Sequence, residues 1–431
     1  MTSPLTPPPL ARPVSALAEP VEPVTRRWVA TVTLAGLGLW AGFFGPIQVL
    51  LAQQAQVVSP GHKELVFGVV TGVGSAVSVV ANPLFGALSD RTTSRFGRRL
   101  PWVVAGALSG ALSLVLLATA QSVLAMVLAW GLAQASLNAM FAALTATVPD
   151  LVPVRDRGVV GGWVAVSQTL GIVSGVGIAT VTGGIAAGYY ATAAAVVVLA
   201  VPYVLGSRDV ALPRSLRPAF SAREFLRSFW VSPRRHPDFA WAWLTRFLVN
   251  LGNSLGTLLL YFYLQDAVGY RDPEAGVLVL TVVYAVFIVA STVVFGRWSD
   301  RLGRRKVFVV VSGVVTGLGA LILAIVPTWP GALAGAVVFG VGYGVYLRWT
   351  SRCAPRCCPP PRPGPRTSAS STSRSRCRRS SRRSSARSWS RTPAATSRCT
   401  PSPAPSASSA RCSSATSTAS ADPPTPRRAG S

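Results

Sequence analysis

The chain has 431 residues, half of them hydrophobic and only 13% charged, which is too apolar for an ordinary soluble domain. Its net charge of +27 would point to nucleic acid if it were evenly spread, but residues 348–431 alone hold 17 Arg against one acid, Asp422. The same stretch holds all six Cys, at 353, 357, 358, 377, 399 and 412, so a disulfide framework or thiol chemistry is excluded from the first 347 residues.

In chain order, residues 1–26 are rich in Pro and small residues and read as a disordered leader. They lack the basic-then-apolar order of a cleaved signal peptide. Ten apolar segments follow near 28–52, 65–88, 101–120, 123–147, 159–182, 186–206, 239–264, 275–296, 307–326 and 331–347. Each has about the 20 residues that cross a ~30 Å hydrocarbon core. Each must be helical, because lipid offers no partner to a free backbone amide. The pattern predicts an all-α polytopic membrane protein. A six-helix bundle over 27–206 and a central loop over 207–238 precede a second bundle of four helices over 239–347 and a disordered tail over 348–431.

The connections alternate in charge. One set carries Arg26 and Arg27, then Arg91 to Arg99, Arg155 and Arg157, the loop from Arg208 to Arg235, and Arg297 to Lys306; the other has only Lys63 and Arg271 as strong bases. Basic loops stay in the cytoplasm, so the amino terminus is expected there, with the chain in the inner (plasma) membrane. The central loop contains a short amphipathic piece, SAREFLRSFW, read as part of a solvated linker.

Two of the basic loops repeat one motif. GALSDRTTSRFGRRLPW at 86–102 and GRWSDRLGRRK at 296–306 both run Gly-x-x-Ser-Asp-Arg, then Gly-Arg-Arg, at equivalent places in the two halves. Gly86 and Gly296 allow close helix approach, and Asp90 and Asp300 can pair with Arg or cap a helix start. With Arg91, Gly97, Arg98 and Arg99 in the first copy and Arg301, Gly303, Arg304 and Arg305 in the second, they form a candidate conformational latch. Positive-inside charge alone accounts for the Arg residues and leaves the repeated Ser-Asp-Arg and Gly-Arg-Arg unexplained. These loops resemble the loop signature of the major facilitator superfamily, over residues 27–347. The long first copy, with PDLVPVRDRG at 149–158, is similar to the branch of glycoside–pentoside–hexuronide and sucrose-type symporters. The resemblance implies twelve helices in two six-helix bundles, a central substrate cavity and alternating access; helices 11 and 12 are not found here.

Polar groups within the spans are the candidate cavity residues, since lipid makes them costly without a partner or water. They are Gln48, Gln134, Asn138, Gln168, Asn250, Asn253, Tyr284 and Tyr343, with Gln53, Gln54, Asn82, Arg246 and Tyr346 beside them. Gln134 and Asn138 share a helix face, as do Asn250 and Asn253. For each residue, hydrogen bonding between helices competes with ligand binding. No cofactor and no metal site is expected. A proton or sodium gradient is the energy source considered, but no acid lies mid-span to couple it.

The tail has no Leu, Val, Ile, Phe, Met or Tyr, and it begins inside a helix pattern after Leu347. Thirty of its 84 residues are Ser, Cys or Trp. If the tail is read one base late, the first base of each tail codon is the middle base of the original one, so Cys, Trp and the TCN serines stand where codons with T in the middle, which encode apolar residues, stood. A shifted reading frame after Leu347 therefore restores an apolar chain, with an Asp at the position of Thr350. On that reading the cluster Cys353, Cys357 and Cys358 is not a metal site, and the basic tail has no specific nucleic-acid partner. The chain thus reads as a monomeric secondary active transporter of a small polar solute in the lipid bilayer, a sugar being the favoured class, and not as an enzyme. The alternatives are a drug or metabolite exporter of the same fold, a non-transporting remnant, and a membrane-anchored protein whose tail binds nucleic acid.

Overall fold

The computed structural model describes residues 20–207, 209–217, 221, 232, 234, 237–302 and 305–357. The chain divides into two units, Met1–Pro361 and Arg362–Ser431, and every described residue belongs to the first. The leader up to residue 19, the tail from residue 358 and the amphipathic piece of the central loop, apart from Ser221, lie outside the described residues.

Among the described residues all regular structure is helical, and ten helices stand where ten spans are expected. They are α1 (Arg26–Val58), α2 (Lys63–Asp90), α3 (Leu100–Ala118), α4 (Val123–Leu151) and α5 (Arg157–Val181). After them come α6 (Ile185–Gly206), α7 (Pro237–Leu258, continued to Ala267), α8 (Pro273–Leu302), α9 (Arg305–Ile325) and α10 (Trp329–Cys357). Eight are long and apolar enough to cross a membrane, and α7 makes nine if its two bent parts count as one span. The described apolar part of α9, Val310–Ile325, is shorter.

Local chemistry sets the helix ends and breaks. Thr25 caps α1 by accepting from the Trp28 amide at 3.2 Å, and Ser122 caps α4 by accepting from Ala125 at 3.3 Å. Pro46 brings no N–H to α1, and the helix widens to a π turn over Pro46–Leu50, closed by the Leu51 amide on the Pro46 carbonyl. A second π turn, Tyr263–Ala267, follows a 43° bend of α7 at Leu259. Sequence periodicity shows neither. Helix α10 is described to Cys357, ten residues beyond the expected end at Leu347, a stretch that includes Pro355.

The first six helices pack as one group, α1 against α5 and α6, α2 against α4, and α3 against α4 and α6. In lipid no hydrophobic drive pulls helices together, so small residues that permit close approach matter most. At the crossing of α1 and α5 a Cβ on Gly175 would come within 2.7 Å of the Ala41 carbonyl. In the second group α10 packs on α8 and α9. The two groups meet where α8 crosses α5 and where the π turn of α1 touches α7 and α8.

Candidate functional site

The first motif copy folds into a buried charge cluster at one end of the first bundle. Arg98 and Arg99 are only 8% and 3% exposed, and buried guanidinium groups need carboxylates. Asp150, at the end of α4, serves both: one oxygen is 2.6 Å from Arg98 and the other 2.8 Å from Arg99 Nε. Arg99 also donates to Asp90 and to the Ser89 hydroxyl, each at 2.5 Å. Asp209, in the connection after α6, accepts the backbone amides of Arg99 and Leu100 and so caps the start of α3. Gly97 makes this possible: its φ of +102° is a left-handed conformation, and a Cβ there would collide with the Asp209 carboxylate. At Gly86 a Cβ would meet nothing within 4 Å, so the close approach expected there is absent from this conformation. Arg91 also takes part in an interaction. These contacts tie α2, α3, α4 and the end of α6 within one bundle. In the second copy Gly296, Asp300 and Arg301 lie on the last turns of α8 and Arg305 opens α9; their side chains, and Gly303 and Arg304 altogether, lie outside the described residues.

The cavity candidates separate into two networks. In the first bundle Gln134 accepts from Ser78 at 2.7 Å, and Asn138 donates to Ser78 at 3.0 Å while its carbonyl accepts from Asn82 at 3.3 Å. These amides join α2 to α4. Gln168 is half-buried on α5. In the second bundle Tyr284 on α8 donates to Asn253 on α7 at 2.6 Å, Tyr343 on α10 donates to Asn250 at 3.1 Å, and the two rings stack 6.4 Å apart. Tyr346 packs on Tyr343 at 5.9 Å, and the Arg246 carbonyl accepts from Asn250.

Gln48 joins this second network to the first bundle. It sits in the π turn of α1, is 5% exposed, and accepts from Thr281 of α8 at 3.2 Å. Gln48, Thr281 and Tyr284 line a cavity of about 40 Å³ together with Gly256, Thr257 and Phe339. That is room for a few waters, well below the several hundred Å³ of a ligand pocket, and no charged residue lines it. Thr281 was not legible in sequence, because one Thr in an apolar helix carries no signal. An aromatic cluster was missed as well: Trp40 packs against Phe141 at 5.3 Å and against Phe43 and Phe44 at about 6 Å. Trp40, Phe44 and Gln48 follow one another four residues apart along α1.

Several polar contacts also cross between the bundles at the end opposite the motif loops. Lys63 of α2 pairs with Asp266 at 2.7 Å and lies over the Phe262 ring, which meets Phe67 edge to face at 5.5 Å. Gln53 of α1 donates to the carboxylate of Glu274 on α8.

Residues 31–375 match the family model described as Major Facilitator Superfamily. The multidrug resistance protein MdtG of Proteus mirabilis (strain HI4320) is 24% identical over 314 residues, 68% of this chain and 73% of that protein. The sucrose transport protein SUC4 of Arabidopsis thaliana is 29% identical over 126 residues, 27% of this chain and 23% of that protein. The solved structure of the nucleoside transporter NupG has the same fold, with a TM-score of 0.57 over 75% of this chain and 81% of its own, at 13% identity. Ten apolar helices in two packed groups, a Ser-Asp-Arg/Gly-Arg-Arg loop built as a charge cluster, and a family match over most of the length agree: the chain belongs to the major facilitator superfamily and is a multi-pass membrane transporter, not an enzyme.

Proposed function

We propose that this transporter moves a small, uncharged, polyhydroxylated solute, a sugar, by alternating access, working as a monomer in the inner (plasma) membrane with its amino terminus in the cytoplasm. The observation that carries the proposal is the run of paired amides and phenols in the second bundle, Asn250 with Tyr343 and Asn253 with Tyr284, which continues at Tyr284 into an uncharged gap lined also by Gln48 and Thr281. Amides and hydroxyls offer donors and acceptors together, which matches vicinal hydroxyls, and phenol faces suit the apolar face of a sugar ring. On the positive-inside assignment, the contacts of Lys63 and Gln53 close the outer side, and the cavity is reached from the side of the motif loops.

The test is uptake of radiolabelled mono- and disaccharides into proteoliposomes. Saturable uptake of a neutral sugar, lowered about tenfold by Asn253→Leu, is the expected result. The exporter reading has its own support in the aromatic cluster of Trp40, Phe43, Phe44 and Phe141 and in the likeness to MdtG. Energy-dependent efflux of a lipophilic cationic dye, with no sugar uptake, would establish that reading instead. The proposal includes a shifted reading frame after Leu347, so both the chain as written and its frame-restored form belong in the assay.

A further inference from the structure

Arg246 is a cation without a counter-ion inside a membrane helix. It lies seven residues into the apolar part of α7, which starts at Phe239, about 10 Å along the axis. Its side chain is exposed, and among the described residues no carboxylate comes within ion-pair distance of it. Asp238 on the same helix is eight residues away, about 12 Å of axis. Arg246 is within electrostatic reach of the Tyr343 and Tyr346 phenols of α10. The Tyr343 hydroxyl is engaged with Asn250, but the Tyr346 hydroxyl is buried and makes no hydrogen bond among the described residues. A charged side chain in a span is costly and is kept where it meets a partner. Here a cation and a phenol both lack an acceptor.

The bond between Asn250 and Tyr343 sets the register of α7 against α10, two spans an odd number of crossings apart and so antiparallel. Arg246 is four residues from Asn250 toward the motif loops, about 6 Å; position 350 is seven residues from Tyr343 in the same direction, about 10 Å. Positions 343, 346 and 350 fall on one face of α10. Side chains lean toward the amino end of their own helix, so those at 246 and 350 lean toward each other. The shifted frame puts an acid at 350 with no choice of codon. Trp has the single codon TGG, and every Thr codon begins with AC. In the original frame the last base of Trp349 and the first two of Thr350 form GAC, which encodes Asp. As written, residues 348–357 hold three Arg and no acid.

We propose that Arg246 is one half of an ion pair whose other half is an Asp at position 350, and that the pair clamps α7 to α10 on the motif side of the cavity. The carboxylate accepts from the guanidinium, and the Tyr346 hydroxyl is placed to donate to it. The amide–phenol pairs Asn250–Tyr343 and Asn253–Tyr284 lie next along the same helices. The ion pair holds those helices in register and cancels the one charge beside an otherwise uncharged gap. Thr at 350 brings a hydroxyl and no charge, so it cannot neutralise Arg246. The rival account is that Arg246 extends to the membrane surface and needs no partner.

This inference rests on the shifted-frame reading and is independent of the solute carried. Thr350→Asp in the chain as written supplies the carboxylate directly. Its own helix offers it no base three or four residues away, where Tyr346, Leu347, Cys353 and Ala354 stand. The thermal unfolding midpoint of the full-length protein in detergent should rise by several degrees with Thr350→Asp and not with Thr350→Asn. The gain should vanish in the Arg246→Met background, and Arg246→Asp combined with Thr350→Arg should recover much of it. This double-mutant cycle separates the pair from the effect of either change alone. The frame-restored protein serves if the chain as written does not fold. There, Asn in place of the Asp at position 350 and Arg246→Met should each lower the midpoint, and together by no more than the larger of the two. An equal effect of Thr350→Asp with and without Arg246 overturns the pair, even where resequencing finds a lost base. An intact frame overturns it for this chain, whatever the cycle shows.

Discussion

Asp150 illustrates how much one side chain can carry. Its two oxygens hold two guanidinium groups that have almost no contact with solvent, whereas Asp90, from the motif itself, has a side chain 55% exposed. Asn at position 150 keeps the shape but loses the charge and points an N–H₂ group at a guanidinium. Breaking a buried ion pair from one side costs about 3–5 kcal/mol, and Asp90 remaining on Arg99 places Asp150→Asn near the lower end. Asp90→Asn, at a solvated site, should cost about 1 kcal/mol or less. Thermal unfolding in detergent should therefore show Asp150→Asn losing several degrees more than Asp90→Asn; an equal or reversed order would show that Asp150 is not the anchor. The motif made the two arginines legible in sequence. Asp150 appeared there only within PDLVPVRDRG, and Asp209 lay in a loop that reads as solvated linker. Spacing along the chain does not reveal which distant carboxylate reaches a buried arginine.

Between helices, adjacent amides can have unlike fates. Gln53 and Gln54 both read as polar groups at the outer end of the first span. Gln53 turns to the bundle seam, but Gln54 turns inward, donating to the Leu117 and Ala120 carbonyls at 2.8 and 2.9 Å and accepting from Tyr189 at 2.8 Å. It thereby caps the carboxy-terminal end of α3 and ties α6 to α1 with no polar atom left over. Gln54→Leu strands the Ala120 carbonyl and the Tyr189 hydroxyl, while the Leu117 carbonyl keeps the Ala120 amide, at about 1–3 kcal/mol for each buried group left unsatisfied. Expression and thermal stability should drop sharply for Gln54→Leu, whereas Gln48→Leu, which loses one bond at the cavity, should lower transport more than stability. All ten helices were legible, because runs of about 20 apolar residues between basic loops leave few alternatives. The π turns at Pro46 and Tyr263 were not, and the first of them places Gln48. The amides of α7 pair with the tyrosines of α8 and α10, of which Tyr284 alone lines the gap beside Gln48, while Gln134 and Asn138 are engaged with Ser78 and Asn82.

At the scale of the molecule, the described residues form six helices in the first bundle and four in the second, and α7 leaves Trp241, Phe247, Leu248 and Leu255 about half exposed or more. The compositional break follows Leu347, 18 residues after the start of α10 at Trp329. At 1.5 Å per residue that is about 27 Å, close to the thickness of the hydrocarbon core. The helix is therefore leaving the bilayer where the arginines begin, and on the positive-inside assignment that face is cytoplasmic. Ten helices can insert stably with the tail as written, so correct membrane insertion would not distinguish a genuine tail from a shifted frame. The nucleotide sequence does. Resequencing the codons from Leu347 to Cys358 should reveal one base lost or gained, after which the frame encodes an apolar continuation with an Asp at position 350. The corrected protein should then transport in proteoliposomes while the chain as written does not. If the frame proves intact, the second bundle ends with four helices and an arginine-rich tail, and transport by this chain should be undetectable.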